Sequence, residues 1–218
     1  MTAAYEAEEW AEAYKNGKKM TTSCCPAFVN MVKKHYPELI ENVSTTISPM
    51  CAVSRMLKAK EPDAVTVFIG PCISKKSEVK DHAIEGNADY ALTYSEIRAI
   101  MHARNVELEE DDNSYQESSI YGKRFANSGG VTEAVLRRLS PDHSKEAMHE
   151  IAECGVRGEE GIKEFTVPYK GMDINVCVAS GLANARTVME RVKNGEANYH
   201  LIEVMACRRG CIMGGGQP

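Results

Sequence analysis

Two short apolar, β-rich runs each lead into a cysteine, and this arrangement constrains the chain more than any other feature. Ala64-Val-Thr-Val-Phe-Ile-Gly70 is followed by Pro71-Cys72, and the run from His200 to Met205 is followed by Ala206-Cys207. Such runs predict buried parallel strands. Side chains just past the carboxyl ends of parallel strands converge on one rim of a sheet, where ligands gather. Cys72 and Cys207 are therefore expected to share a site.

The remaining pattern alternates between helix and strand. Helices are expected over Ala3 to Lys15, Ala27 to His35, Ser95 to Ala103 and Leu182 to Lys193. Pro26 sits just inside the second of these and Pro37 stops it. Ser48-Pro49 reads as an N-cap followed by a first-turn proline, opening a helix to about Lys60. Gly129-Gly130 opens another to Leu139, and Asn194-Gly195 ends the one that starts at Leu182. Further strands are expected at Asp89 to Leu92, Ile162 to Val167 and Asp173 to Ala179, and Asn105 to Asn127 reads as loop-rich. The fold class is α/β, with mainly parallel sheets flanked by helices.

Composition narrows the chemistry. The 218 residues are 43% hydrophobic and 26% charged, with a net charge of −5, which excludes a basic nucleic-acid footprint. No apolar run approaches the ~20 residues that span a bilayer. Glu6, Glu8, Glu9 and Glu12 make the N-terminus unlike a secretory signal, so a cytoplasmic protein is expected. Eight cysteines without a signal segment then read as thiols for metal or chemistry rather than as a disulfide framework.

The cysteines concentrate in three segments: Thr22-Ser-Cys24-Cys25-Pro26, Gly70-Pro-Cys72-Ile-Ser-Lys75-Lys76-Ser-Glu78, and Glu203-Val-Met-Ala-Cys207-Arg-Arg-Gly-Cys211-Ile-Met-Gly-Gly-Gly-Gln-Pro218. Thiolates from separate loops can complete the four-cysteine shell of an iron–sulfur cluster. Glycines 214 to 216 would let backbone approach a bulky inorganic centre and offer it N–H donors. Taken singly, each signal has a plainer reading. Adjacent cysteines can be buried apolar residues, a Cys-x3-Cys pair can be half of a zinc site, and a triple glycine can be a flexible loop.

Taken together, the three segments resemble the three signature motifs of [FeFe]-hydrogenases. The likeness extends to Tyr36-Pro-Glu-Leu with Ser44 and Ser48-Pro49, to Gly129-Gly130-Val-Thr-Glu-Ala, to Val156-Arg157-Gly158 and to Gly181-Leu-Ala-Asn-Ala-Arg186. It covers the chain from about Glu6 onward. It implies an iron hydrogenase-like fold, a single H-cluster-type domain over residues 1–218, and reversible conversion of 2H⁺ and 2e⁻ to H₂. The implied cofactor is an H-cluster: a [4Fe-4S] cluster joined to a [2Fe] subcluster that carries CO, cyanide and a bridging dithiolate.

By motif position, the resemblance makes Cys25, Cys72, Cys207 and Cys211 the cubane ligands, with Cys211 as the bridging thiolate. Cys24 would face the diiron unit and pass protons. Lys75 would donate to a cyanide ligand, although Lys76 stands beside it as a rival surface lysine. Met205 would pack on the diiron unit, with Phe125, Ser48 and Pro49 around the same pocket. Glu78 and Ser44 match the family's proton path outward from Cys24, and Glu9 would be its outer relay. The plainer alternatives are a solvated helix face for Glu6, Glu8, Glu9 and Glu12 and a surface charge for Glu78. Cys51, Cys154 and Cys177 lie outside the motifs; Cys177 reads as a packing residue in an apolar strand, and Cys51, on a helix near the pocket, reads as core packing or as a residue that modifies the site.

Three departures stand out. Gly70 occupies a position where many catalytic members carry methionine, Phe28 replaces a usual tryptophan, and Arg208-Arg209 fill a place often held by smaller residues. The chain also lacks an N-terminal segment and accessory ferredoxin-like modules that relatives carry. The expected partners are therefore a ferredoxin or other electron carrier, steered by charge toward Arg208-Arg209, the diiron-site maturation proteins, and a subunit supplying the missing part of the pocket. The resemblance also admits an H₂-sensing module of low turnover, which Gly70 favours, and a non-catalytic iron–sulfur assembly-type relative, which the paired Cys24-Cys25 opposes.

Overall fold

The computed structural model describes residues 2–107, 120–139, 161–169 and 172–218. Its elements run in the order α1 (Thr2–Lys15), β1 (Met20–Thr21), α2 (Pro26–His35), a 3-10 turn (Pro37–Asn42), α3 (Pro49–Lys60), β2 (Val67–Gly70), α4 (Lys75–Glu78) and β3 (Tyr90–Thr93). There follow α5 (Tyr94–Ala103), α6 (Ile120–Arg124), α7 (Gly130–Leu139), β4 (Ile162–Tyr169), β5 (Met172–Ser180), α8 (Leu182–Lys193), β6 (Leu201–Met205) and a 3-10 turn (Cys211–Met213). Cys154 and Val156-Arg157-Gly158, singled out above, lie outside the described residues.

The strands form a four-stranded sheet of order β1-β6-β5-β4 and a two-stranded sheet of β2 and β3. β6 is parallel to β1 and β5, and β2 is parallel to β3. The expected mainly parallel α/β architecture is thus observed. β4 is the antiparallel member, paired with β5 from Ile162 opposite Ala179 to Tyr169 opposite Met172. Only residues 170 and 171 separate the two strands, too few for the crossover that parallel pairing needs.

Strand alternation sorts the core into two layers. Ile174, Val176 and Val178 of β5 and Leu201 and Met205 of β6 face Ala7 and Trp10 of α1 and Val131, Val135 and Leu136 of α7. Cys177, Ala179, Ile202 and Val204 face Phe28 and Val32 of α2 and Ala185, Val188 and Met189 of α8. β6 is buried at every residue, as expected of a strand covered on both faces.

The β2–β3 pair is different, and here the expectation of a buried strand fails. β2 is only Val67–Gly70, and Val67 and Ile69 are 47% and 45% exposed. Its inner side packs Phe68 with Ile47 and Val79 against Met50, Cys51 and Ala88. Its outer side has no covering layer among the described residues. Two short pieces escaped the pattern reading because they carry no period of their own: β1, of two residues, and α4, of four. α6 lies inside the stretch read as loop-rich.

Helix starts follow the local chemistry. Ser48 caps α3 by accepting from the Cys51 N–H at 3.4 Å, and Thr93 and Glu96 form a reciprocal capping box on α5. The start of α7 is held differently. The fully buried Glu203 carboxylate, in the middle of β6, accepts from the Gly129 and Thr132 N–H groups at 2.7 Å each. Burial raises the Glu203 carboxyl against these hydrogen bonds, and its oxygens take up donors that would otherwise be orphaned. Glu203→Ala should therefore lower unfolding free energy by about 2–4 kcal/mol, because two buried amides lose their acceptor. Urea unfolding should show this loss, with a smaller one for Glu203→Gln.

Candidate metal centre

The cysteines reach one place along different elements. Cys25 is the N-cap residue of α2, and its sulfur accepts the Ala206 N–H at 3.4 Å. Cys72 follows β2, Cys207 follows β6, and Cys211 opens the last 3-10 turn. Backbone contact brings the second and third segments together. Gly216 N–H donates to the Pro71 carbonyl at 2.8 Å, and a Cβ on Gly214 would meet the same oxygen at 2.4 Å. A Cβ on Gly216 would meet the Thr93 side chain at 2.6 Å. These glycines serve close packing of protein on protein. The cradle expected against an inorganic centre is thus corrected at Gly214 and Gly216. Gly210 is equally constrained, with φ +97° and the Ala126 carbonyl 2.4 Å from where a Cβ would stand.

Electrostatics confirms the convergence. Burial, then repulsion from Cys25, Cys72 and Cys207, pushes the Cys211 thiol up to about 12. Burial raises Cys207 as well, with Cys72 and Cys25 adding to it, and burial raises Cys25. Thiols this crowded cannot ionise together without a compensating cation. Among the described residues no three His, Cys, Asp or Glu side chains are grouped to hold a single metal ion.

Cys24 lies on the α1–α7 side of the sheet with Phe125 and Cys211. Burial raises its thiol well above the usual range, and Glu6 and Glu203 push it further. Glu6 is itself buried, and burial lifts its carboxyl to about 8 against one hydrogen bond, from the Ser23 N–H at 3.3 Å. Glu6 therefore keeps its proton at neutral pH. By sequence Glu6 reads only as one of four glutamates on a solvated helix face, with Glu9 three residues on. Its signal was the three-residue spacing that sets both on one side of α1.

The structure joins Ser44 to Glu9. The Ser44 hydroxyl donates to Glu9 Oε2 at 2.6 Å, and Thr45 N–H, Thr45 Oγ1 and Thr46 Oγ1 also donate to this carboxylate at 2.7, 2.9 and 3.1 Å. Burial opposes ionisation of Glu9, but these hydrogen bonds outweigh it and hold the carboxyl below its ordinary value. Glu78 takes a different place. It lines a cleft of about 270 Å³ with Ser44 and Ser48, but its carboxylate is bound to Lys75 and Cys51.

The rivalry between the two lysines is resolved. Lys75 is buried and pairs with Glu78 at 2.5 Å, whereas Lys76 pairs with Glu96 at 2.7 Å near the surface. Met205 is buried, with its sulfur 3.7 Å from Cys211 Sγ. Pro49 lines an apolar groove of about 570 Å³ with Val53, Leu57 and Val67, on the uncovered side of β2. Arg208 and Arg209 are exposed beside Cys207.

Comparison with known proteins agrees with this geometry. The family described as "Iron only hydrogenase large subunit, C-terminal domain" matches residues 1–215. Iron hydrogenase 1 of Clostridium pasteurianum is 34% identical over 100% of this chain and 41% of its own length. The periplasmic [Fe] hydrogenase large subunit of Nitratidesulfovibrio vulgaris is 34% identical over 90% of this chain and 51% of its own. Cytosolic iron-sulfur assembly component 3 of Pongo abelii is 26% identical over 93% of this chain and 48% of its own. The chain spans about half the length of these curated relatives. An apo [FeFe]-hydrogenase from Chlamydomonas reinhardtii superposes with TM-score 0.70 and 29% identity, covering 100% of this chain and 67% of that one. Sequence, fold and converging thiols lead to one assignment: the chain belongs to the iron-only hydrogenase large-subunit family, as its C-terminal domain.

Proposed function

We propose that this domain interconverts 2H⁺ and 2e⁻ with H₂ as an [FeFe]-hydrogenase. The observation that carries the proposal is the enclosed Cys24 thiol, flanked by the buried carboxyls of Glu6 and Glu203, next to Cys25 and Cys211. Iron–sulfur ligation alone has no use for a fifth thiol beside a protonated carboxyl. Cys25, Cys72, Cys207 and Cys211 would hold the [4Fe-4S] cluster. Pro49 lines the groove beside β2, whereas Lys75, Met205, Phe125 and Ser48 would surround the [2Fe] subcluster with its CO, cyanide and bridging dithiolate. When bound, this group supplies the metal site at which protons and electrons meet.

The chain's own residues supply the proton path. Glu9 takes a proton at the rim, Ser44 hands it inward, and Glu6 and Cys24 hold it at the pocket. Although burial raises it, the Cys24 thiol remains far more acidic than a serine hydroxyl, which suits it better to exchange a proton. Glu78 joins this path less directly, as a carboxylate facing the shared cleft. Lys75 contributes a buried positive charge for an anionic ligand.

Electrons would arrive from a ferredoxin or other carrier docked near Arg208 and Arg209, with Cys207 behind them. Maturation proteins would install the diiron unit, and a further subunit would cover the exposed side of β2. We place the protein in the cytoplasm; among the described residues no helix is long and apolar enough to cross a membrane. The second reading is a non-catalytic assembly-type iron–sulfur protein, favoured by the likeness to the cytosolic assembly component. A sensory role is favoured by Gly70, where a larger residue would have to displace Phe68, whose ring stands 2.6 Å from a Cβ placed there.

Adding the diiron precursor to anaerobically reconstituted protein should produce sharp CO and cyanide infrared bands that shift under H₂. A cubane without such bands would instead support the assembly-type reading. Cys24→Ser should lower turnover by about 10²- to 10⁴-fold, the range that a positioned acid–base group contributes. Cubane content, read from visible absorption, should stay unchanged in that variant, and an unchanged rate would remove Cys24 from the path.

A further inference from the structure

Among the described residues, Lys75 is the sole buried lysine or arginine, and the groups around it explain how it can be buried. Its ammonium donates to Glu78 Oε2 at 2.5 Å. The other oxygen of that carboxylate, Oε1, lies 3.4 Å from the Cys51 sulfur. Cys51 is fully buried, yet polar groups bracket its sulfur. The Ser48 hydroxyl donates to it at 3.4 Å, and Asn87 Oδ1 lies 3.0 Å away. Asn87 is fixed in turn, since its Nδ2 donates to the Glu78 carbonyl at 2.6 Å and its own carbonyl accepts the Lys58 ammonium at 2.9 Å. This is not the setting of a packing cysteine, the plainer of the residue's two readings from sequence.

The thiol has one proton and two acceptors in reach. Asn87 Oδ1 already accepts the Ala88 N–H at 2.8 Å. Glu78 Oε1 carries a share of negative charge, and charged acceptors form the stronger bonds. The proton therefore goes to the carboxylate, while the Ser48 hydroxyl satisfies the sulfur's acceptor side. A carboxylate gripped at both oxygens cannot swing, so the ammonium it holds is fixed as well. α4 makes this possible, because the three-residue spacing puts Lys75 and Glu78 on the same side of its single turn.

We propose that Glu78 and Cys51 are positioning residues that fix the Lys75 ammonium at the edge of the metal pocket, Glu78 by the ion pair and Cys51 by holding the carboxylate's second oxygen. What the fixed charge is for rests on the function proposed above, namely orienting an anionic ligand of the metal group. The clamp itself is a property of the protein alone.

The test separates the two. In protein carrying the reconstituted cubane and no diiron unit, lysine acylation by a small active ester is followed by peptide mass spectrometry, with Lys76 as internal reference. Lys75 should be protected in the native sequence and in Cys51→Ser, which keeps a donor. It should react roughly tenfold faster in Glu78→Gln, where the ion pair is gone, and about fivefold faster in Cys51→Ala, where one hydrogen bond is gone. Visible absorption and thermal unfolding identify any variant that has lost its cluster or fold, and Cys51→Val then replaces Cys51→Ala as the donor-free variant. Unchanged Lys75 reactivity in the intact variants would overturn the clamp.

After addition of the diiron precursor, the cyanide bands should move in Glu78→Gln and Cys51→Ala and return to the native position in Cys51→Ser. Cyanide bands that stay fixed while Lys75 reactivity rises would overturn the positioning role. If the native protein itself shows no CO or cyanide bands, the hydrogenase reading fails, and the acylation result still decides the clamp.

Discussion

One buried thiol, Cys25, and three partly buried ones, Cys72, Cys207 and Cys211, stand where they cannot all be anions unless a cation joins them, and much of the structure follows from that constraint. Burial alone raises the proton affinity of a thiol, and each neighbouring sulfur raises it again, to about 12 at Cys211. Such an arrangement is unfavourable in isolation. It becomes favourable when iron replaces the protons, because thiolate–metal bonding removes both the burial penalty and the mutual repulsion. The fold must therefore hold the sulfurs in place before the metal arrives. It does so with rigid parts: the N-terminus of α2, the ends of β2 and β6, and a glycine-rich tail packed backbone to backbone on Pro71.

The same tail ties together two regions of different character. The four-stranded sheet is covered on both faces, and its central strand β6 is buried throughout. The two-stranded sheet is covered on its inner side only, leaving Val65, Val67, Ile69 and Tyr90 in solvent. Parallel strands are normally found with both faces covered, since their crossovers place helices there. The exposed side of β2 adjoins an apolar groove lined by Pro49, Val53 and Leu57, so this face departs from the usual two-sided cover.

Much of this was legible in the sequence, and the reasons for what was not are physical. Long periodic segments with caps, such as Pro49–Lys60 and Leu182–Lys193, announced themselves, as did β6 with its unbroken apolar run. The three cysteine segments pointed to one site because their spacing matched known motifs. The exposure of β2 was hidden, because an apolar run reads the same whether or not a second layer covers it. β1 and α4 are shorter than one full period of the pattern that would reveal them. The partners of Glu78 were misjudged for a related reason. Motif position locates a residue along the chain, but whether its carboxylate turns toward Ser44 or toward Lys75 depends on a four-residue helix and on Cys51 across the interface.

The groups of the proposed proton path sit in different electrostatic surroundings. At the rim, Glu9 is held ionised by donors from Ser44, Thr45 and Thr46, so it accepts a proton weakly and releases it quickly. Further in, Glu6 sits at about 8 and is protonated at neutral pH. Burial, with Glu6 and Glu203 beside it, raises the Cys24 thiol well above its usual range. On the cluster side the Lys75 ammonium favours the Cys211 thiolate, against the burial and the neighbouring thiols that raise it.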